Sequence, residues 1–149
     1  MSKYQILKTY ENILMHIEDV LGSKITNNLQ LDNLGYNILP NYIGTFPSDK
    51  MPKVIKDDQC FILNTDSSRS KNKTGHWVAF YKYNKKLYYY DSFSRPVNQL
   101  SKHWLKKRMI NANKNGRDQP MMAEDCGSRS LAYLITCYKF GIDKCMNVI

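Results

Sequence analysis

The sequence predicts an α+β fold, and three observations carry that reading. Apolar residues recur every three or four positions near each end of the chain, which is helical spacing. Between these stretches lie short runs rich in aromatic and β-branched residues, which is strand composition. No repeat and no linker interrupts the 149 residues, a length that suits one domain with a real core, 1–149.

In chain order, Ser2 and Gln5 form a Ser-x-x-Gln capping box. Ile6, Leu7, Tyr10, Ile13, Leu14, Ile17 and Leu21 then make one stripe, and Gly22 ends it, so the spacing predicts an amphipathic helix over 3–21. Residues 26–36 read as a turn plus a short helix, with Leu29, Leu31 and Leu34 inward. Pro40, Gly44, Pro47 and Pro52 break the stretch 38–52, which reads as loop anchored by Tyr42, Ile43 and Phe46. Residues 59–64 form an apolar run and predict a buried strand. The polar stretch 65–75 reads as loop. Residues 76–83 and 86–91 predict a hairpin around Asn84-Lys85. Val97, Leu100, Trp104 and Leu105 predict a helix over 96–110, followed by a polar turn over 111–116 and an extended approach over 117–122. The last helix is expected over 126–140, with Asp125 as its N-cap and Gly141 as its stop.

Composition excludes several classes. No apolar run is long enough to span a membrane, so no membrane partner is expected. No charged n-region followed by an apolar h-region opens the chain, so a reducing compartment is expected. Cys60, Cys126, Cys137 and Cys145 lack zinc-ligand spacing and need not pair, and neither metal nor cofactor is implied. Cys60 and Cys137 lie in apolar runs and read as core, whereas Cys145 in a short polar tail reads as exposed. The net charge of +9 permits polyanion contact, and a solvated lysine surface explains it equally well.

One cysteine stands apart. Cys126 falls at the start of the last predicted helix, where free N–H groups and the helix dipole favour an anion. A thiolate is the nucleophilic form of cysteine. Such a nucleophile needs a base and a group that orients the base. His16 and His103 lie inside predicted helices and read as structural or solvated. His76 opens a strand after a loop ending in Gly75, where a base is both rigid and able to reach a cleft. Counting across a tight hairpin at Asn84-Lys85 pairs position 76 with position 93, so Asp91 lies close to His76. Acyl transfer also needs oxyanion donors. The Cys126 backbone N–H and the Gln119 side-chain amide are the candidates.

The order His76, Asp91, Gln119, Cys126 resembles the adenovirus maturation endopeptidase, adenain, and its relatives the ubiquitin-like-protein proteases. His76-Trp77-Val78-Ala79-Phe80 looks like the family's histidine strand, and Tyr90-Asp91-Ser92-Phe93 is similar to its acid-bearing strand end. Gln119 followed by Asp125-Cys126-Gly127 looks like its nucleophile segment. Tyr42-Ile43-Gly44-Thr45-Phe46 and Ile62-Leu63-Asn64-Thr65 resemble two segments upstream of the family histidine. The likeness runs over roughly 29–140, and it is closest in appearance to the proteases of mavirus-type virophages and of Polinton or Maverick elements.

The resemblance implies a papain-like core of the adenain type, a small mixed sheet packed by helices. It implies Cys126 as nucleophile, His76 as general base, Asp91 as orienting acid and Gln119 as oxyanion donor. It also implies cleavage of viral capsid or precursor proteins, beside small residues such as glycine, in a virion or an infected cell. Trp77 and Gly127 would then border the substrate cleft, and the chain would act as a monomer. Lys82, Lys85 and Lys86 on the hairpin, and Lys102, Lys106, Lys107 and Arg108 beyond it, are candidates for sequence-independent DNA contact. The alternatives are a protease of ubiquitin-like modifiers and a non-catalytic basic protein that binds DNA or capsid. The first helix, within 1–22, is additional to adenain, and adenain's last helices have no counterpart here, so peptide activation is not implied.

Overall fold

The layering follows from alternation along the strands. In the computed structural model, which describes residues 2–22, 26–71, 75–114, 116 and 124–149, the order is α1 (Lys3–Leu21), α2 (Asn28–Ile38), β1 (Tyr42–Phe46), β2 (Cys60–Asn64), β3 (Trp77–Tyr83), β4 (Lys86–Tyr90), β5 (Met109–Asn111), α3 (Cys126–Phe140) and α4 (Ile142–Cys145). The sheet order is β1-β2-β3-β4-β5. The outer pairs β1–β2 and β4–β5 are parallel, and β2–β3–β4 are antiparallel. The architecture is therefore mixed, a five-stranded sheet packed by helices.

Successive side chains on a strand point to opposite faces. Cys60, Ile62, Ala79, Tyr81 and Tyr90 face one core with Tyr10, Leu14 and Ile17 of α1 and Leu131, Leu134 and Cys137 of α3. Phe61, Leu63, Val78, Phe80 and Tyr89 face a second core closed by Leu100 and Trp104. The Phe61 and Phe80 rings stack at 5.0 Å, and Trp104 meets Phe80 edge-on at 5.2 Å. Such pairs contribute about 1 kcal/mol each beyond their buried area.

The α1 boundaries follow the sequence signals. Gln5 N donates to Ser2 Oγ, Ser2 N donates to Gln5 Oε1, and Gly22 closes the helix in the left-handed region at φ 66°. At the hairpin turn, Asn84 and Lys85 both have positive φ, 51° and 65°, the geometry that matches strand twist in a two-residue loop. Tyr83 pairs with Lys86 and Ala79 with Tyr90, the register expected from a two-residue turn.

Several expectations fail. Residues 96–110 do not form a helix. Short 3₁₀ turns at Val97–Gln99 and Lys102–Trp104 are separated by Ser101, whose backbone is extended and whose hydroxyl accepts from His103 N. Trp104 is anchored by donating from Nε1 to Ser48 O at 3.0 Å, Leu105 is exposed, and the chain then becomes β5 because β4 offers a free edge. The stretch 38–52 is not all loop. Tyr42–Phe46 pairs with β2 as β1, since its prolines fall outside the strand. Leu29 is exposed, because α2 buries Leu31 and Gly35 instead. The polar turn expected over 111–116 starts later, since Asn111 ends β5, and Ala112 and Asn113 within it are buried. Cys145 is buried too, because α4 folds the tail back onto the core with Ile142 and Ile149. Residues 117–122, expected as an extended approach, lie outside the described residues. No helix among the described residues is long and apolar enough to cross a membrane.

Candidate active site

His76 sits one residue ahead of β3, and its backbone is gripped on both sides. His76 N donates to Thr65 Oγ1 at 2.8 Å, and Thr65 N donates to His76 O at 2.8 Å. Gly75 before it is required by space, since a Cβ there would lie 2.0 Å from Asn64 Oδ1. The β2–β3 ladder and these two bonds fix where the imidazole emerges. Its side chain is 12% exposed.

Asp91 follows the last residue of β4. Its side chain is fully buried, and its Oδ1 accepts a short hydrogen bond from His76 Nε2. The β3–β4 register, continued past the Ala79–Tyr90 pair, puts position 76 across from position 93, and the His76 and Phe93 rings meet at 5.2 Å. Asp91 Oδ2 accepts from Arg95 N at 2.8 Å and from Arg95 Nε at 3.1 Å. Burial pushes the Asp91 carboxyl up, but the bonds from His76 and Arg95 outweigh it and hold the group below the usual carboxylate value.

Cys126 is the first residue of α3, and it is partly exposed, unlike the other three cysteines. Burial pushes the Cys60 thiol up to about 12 and the Cys137 thiol well above its ordinary value, so both stay protonated. The helix is seated on the histidine strand, since Ser130 Oγ donates to Trp77 O at 3.2 Å. Asp125 stands at the N-cap position but does not cap with its side chain. That carboxylate instead accepts from Arg129 Nε at 2.9 Å.

The imidazole joins the two ends of this arrangement. With Nε2 given to Asp91, Nδ1 is the ring nitrogen left for the Cys126 side chain. Burial alone would lower the His76 pKa. The hydrogen bonds to Asp91 and to Cys126, and the charges of both, raise it above the ordinary value. An acid that fixes the tautomer, a base and a thiol at a helix start are the parts of a nucleophilic site.

Gly127 is packed against two neighbours. A Cβ on it would lie 1.9 Å from Thr26 Oγ1 and 3.1 Å from Trp77 Cδ1. Trp77, half-buried, thus flanks the start of α3 beside His76. Gln119 lies outside the described residues. His16 and His103 are exposed, on α1 and on a 3₁₀ turn. Lys106, Lys107 and Arg108 are exposed, as are Lys85, Lys86 and Lys102.

Thr65, Phe93, Arg95 and Asn113 were not legible as site residues. The hairpin count places position 93 across from His76 but does not reveal a ring contact there. Arg95 reaches Asp91 from four residues away, and Thr65 and Asn113 act through hydrogen bonds to segments further off in the chain, none of which leaves a periodicity. The chain matches no family model and no curated protein.

Proposed function

We propose that this chain is a cysteine endopeptidase with a papain-like core of the adenain type. The observation that carries the reading is the hydrogen bond from His76 Nε2 to the buried Asp91 carboxylate, with Cys126 against the same ring. In this reading His76 takes the Cys126 proton, and the thiolate attacks the scissile carbonyl carbon. A C–S bond forms and the carbonyl oxygen gains the charge. The Cys126 backbone N–H, one of the unpaired donors at a helix start, and the Gln119 amide meet that oxyanion. The His76 imidazolium then protonates the amine as the C–N bond breaks, leaving a thioester. Water, deprotonated by His76, attacks the thioester, the C–S bond breaks and the acid product leaves.

The proposed substrates are viral capsid or precursor proteins cut beside small residues such as glycine, in the virion or the infected cell. The packing of Trp77 and Thr26 against Gly127 supports a narrow cleft next to the nucleophile. The exposed lysines support weak, sequence-independent contact with DNA, which would hold a protease near packaged substrates.

The test is a peptide library with glycine at varied positions, incubated with the protein and read by mass spectrometry. Cleavage by the wild type and none by Cys126→Ala supports the reading. Equal cleavage by both proteins, or none by the wild type on the library and on capsid precursors alike, overturns it.

A further inference from the structure

A fully buried carboxylate is costly unless it is paired and hydrogen-bonded. Asp91 is such a group, with no part of it exposed. His76 covers only Oδ1, and the second oxygen is covered by Arg95 through N at 2.8 Å and Nε at 3.1 Å. Arg95 also places Cζ 5.2 Å from the centre of the Phe93 ring, and Phe93 lies 5.2 Å from the His76 ring. The guanidinium therefore holds both the acid and the ring beside the imidazole.

The turn that carries these groups is held from below. Ser94 N donates to Asp91 O at 2.8 Å, with Ser94 in the left-handed region at φ 58°. Asn113, fully buried, donates from Nδ2 to the same Asp91 O at 3.0 Å, and Ser94 Oγ donates to Asn113 O. Asn113 is fixed in turn by the tail. Asn147 N donates to Ala112 O at 2.9 Å, and Lys114 N donates to Asn147 Oδ1 at 2.8 Å.

We propose that Arg95 is a positioning residue that keeps the Asp91 carboxylate ionised and aimed at His76, and that Asn113 locks the turn on which both sit. The assignment rests on the protease reading of Cys126 and His76. The titratable and charged groups facing Asp91 are His76 ahead of β3, Tyr89 on β4 and Arg95 in its own turn, and Cys126 at the start of α3 faces His76. Asp125 and Arg129 stand beside Cys126. Without the guanidinium, Asp91 takes up a proton at higher pH. His76 then loses its anionic partner, and the imidazolium that supports the thiolate is less stable.

The experiment follows alkylation of Cys126 by iodoacetamide against pH in the full chain, with peptide mapping to count only Cys126. Arg95→Gln and Arg95→Met should move the acid limb of the rate profile upward by about half a pH unit or more. Arg95→Lys, which keeps the charge, should return most of that shift. Asn113→Ala should slow peptide cleavage in kcat while leaving the limb in place, since it removes no charge. Arg95→Met keeps the stem on Phe93 and carries the test if Arg95→Gln does not fold. An unmoved limb in the folded variants, or a limb in Arg95→Lys that matches Arg95→Gln, overturns the Arg95 assignment alone. A wild type whose Cys126 alkylates with the profile of an ordinary free thiol overturns the protease reading, and the Arg95 assignment with it.

Discussion

His76 and Asp91 shift each other, and the signs set a window of pH. The folded His76 pKa is raised above its ordinary value of 6.5 by the Asp91 and Cys126 contacts, against the opposing effect of burial. Its contribution to stability is therefore complete below that ordinary value and fades as pH rises through the higher folded value. The folded Asp91 value is lowered from 3.8, its bonds outweighing burial, so its contribution is complete above 3.8 and fades as pH falls through the lower folded value. We predict that the stability lost in Asp91→Asn is largest near about pH 5, between the two ordinary values, and shrinks toward alkaline pH. Urea midpoints of both proteins at several pH values check this; a pH-independent difference would show that the pair is not charged in the fold. The same contacts predict kinetics. His76→Ala should lose nearly as much activity as Cys126→Ala, and Asp91→Asn less, because such residues act as a unit and their effects are not additive. Iodoacetamide should label Cys126 faster than Cys60 or Cys137, which are 0% and 1% exposed with raised thiol pKa values.

At the scale of elements, the site depends on how α3 is seated against β3. Gly127 permits that approach, since any Cβ would collide with Thr26 Oγ1 and press on the Trp77 indole. We predict that Gly127→Ala destabilises the fold by about 1–3 kcal/mol and slows Cys126 alkylation, as overpacking forces neighbours apart. Thr26→Ala removes the nearer atom, leaving the Thr26 Cβ at 3.3 Å, so the double variant should recover part of the loss. Thermal melts of the four proteins of that cycle decide it, and strictly additive losses would sink the account. The elements that carry the site were legible because each had a local signal. The Ser2 and Gln5 capping box marked α1, the Asn84-Lys85 turn set the β3–β4 register, and the apolar spacing after Cys126 marked α3. That register is enough to bring Asp91 to His76. What was not legible depended on partners distant in sequence. The apolar spacing of Val97, Leu100 and Trp104 mimics a helix, yet those residues are placed by the second core and by Ser48 O. Met109–Asn111 and Tyr42–Phe46 become strands because β4 and β2 present unpaired edges, which no local pattern in either segment records.

Across the whole molecule, the sheet separates the candidate chemistry from the basic group at the hairpin turn. His76 precedes β3 and Asp91 follows β4, so both stand at one end of the hairpin. The turn at Asn84 and Lys85 stands at the other end. In the parallel β4–β5 pair Leu87 lies opposite Met109, so Lys86 and Arg108 are brought side by side at that far end. Two basic groups that are apart in sequence thus meet at the end opposite His76. The seven residues of β3 separate them from the site, a length of about 20–25 Å. That distance is at least about twice the screening length of about 8–10 Å at ordinary ionic strength, so the patch exerts little field on Cys126. If the patch contacts DNA, as proposed, binding releases counterions and must weaken steeply with salt, with a slope set by the number of phosphates neutralised. Reversing the charge of Lys106, Lys107 and Arg108 should flatten that slope. Cleavage of a short peptide should stay unchanged, because Arg108 and the exposed Lys106 and Lys107 that precede it lead into the end of β5 away from His76. Fluorescence anisotropy with a labelled duplex at low and moderate salt measures the slope, and a peptide assay on the same variant measures the other arm. No binding at low salt would reduce the patch to a solubility surface. A fall in peptide cleavage on charge reversal would instead show that the two ends of the sheet are coupled.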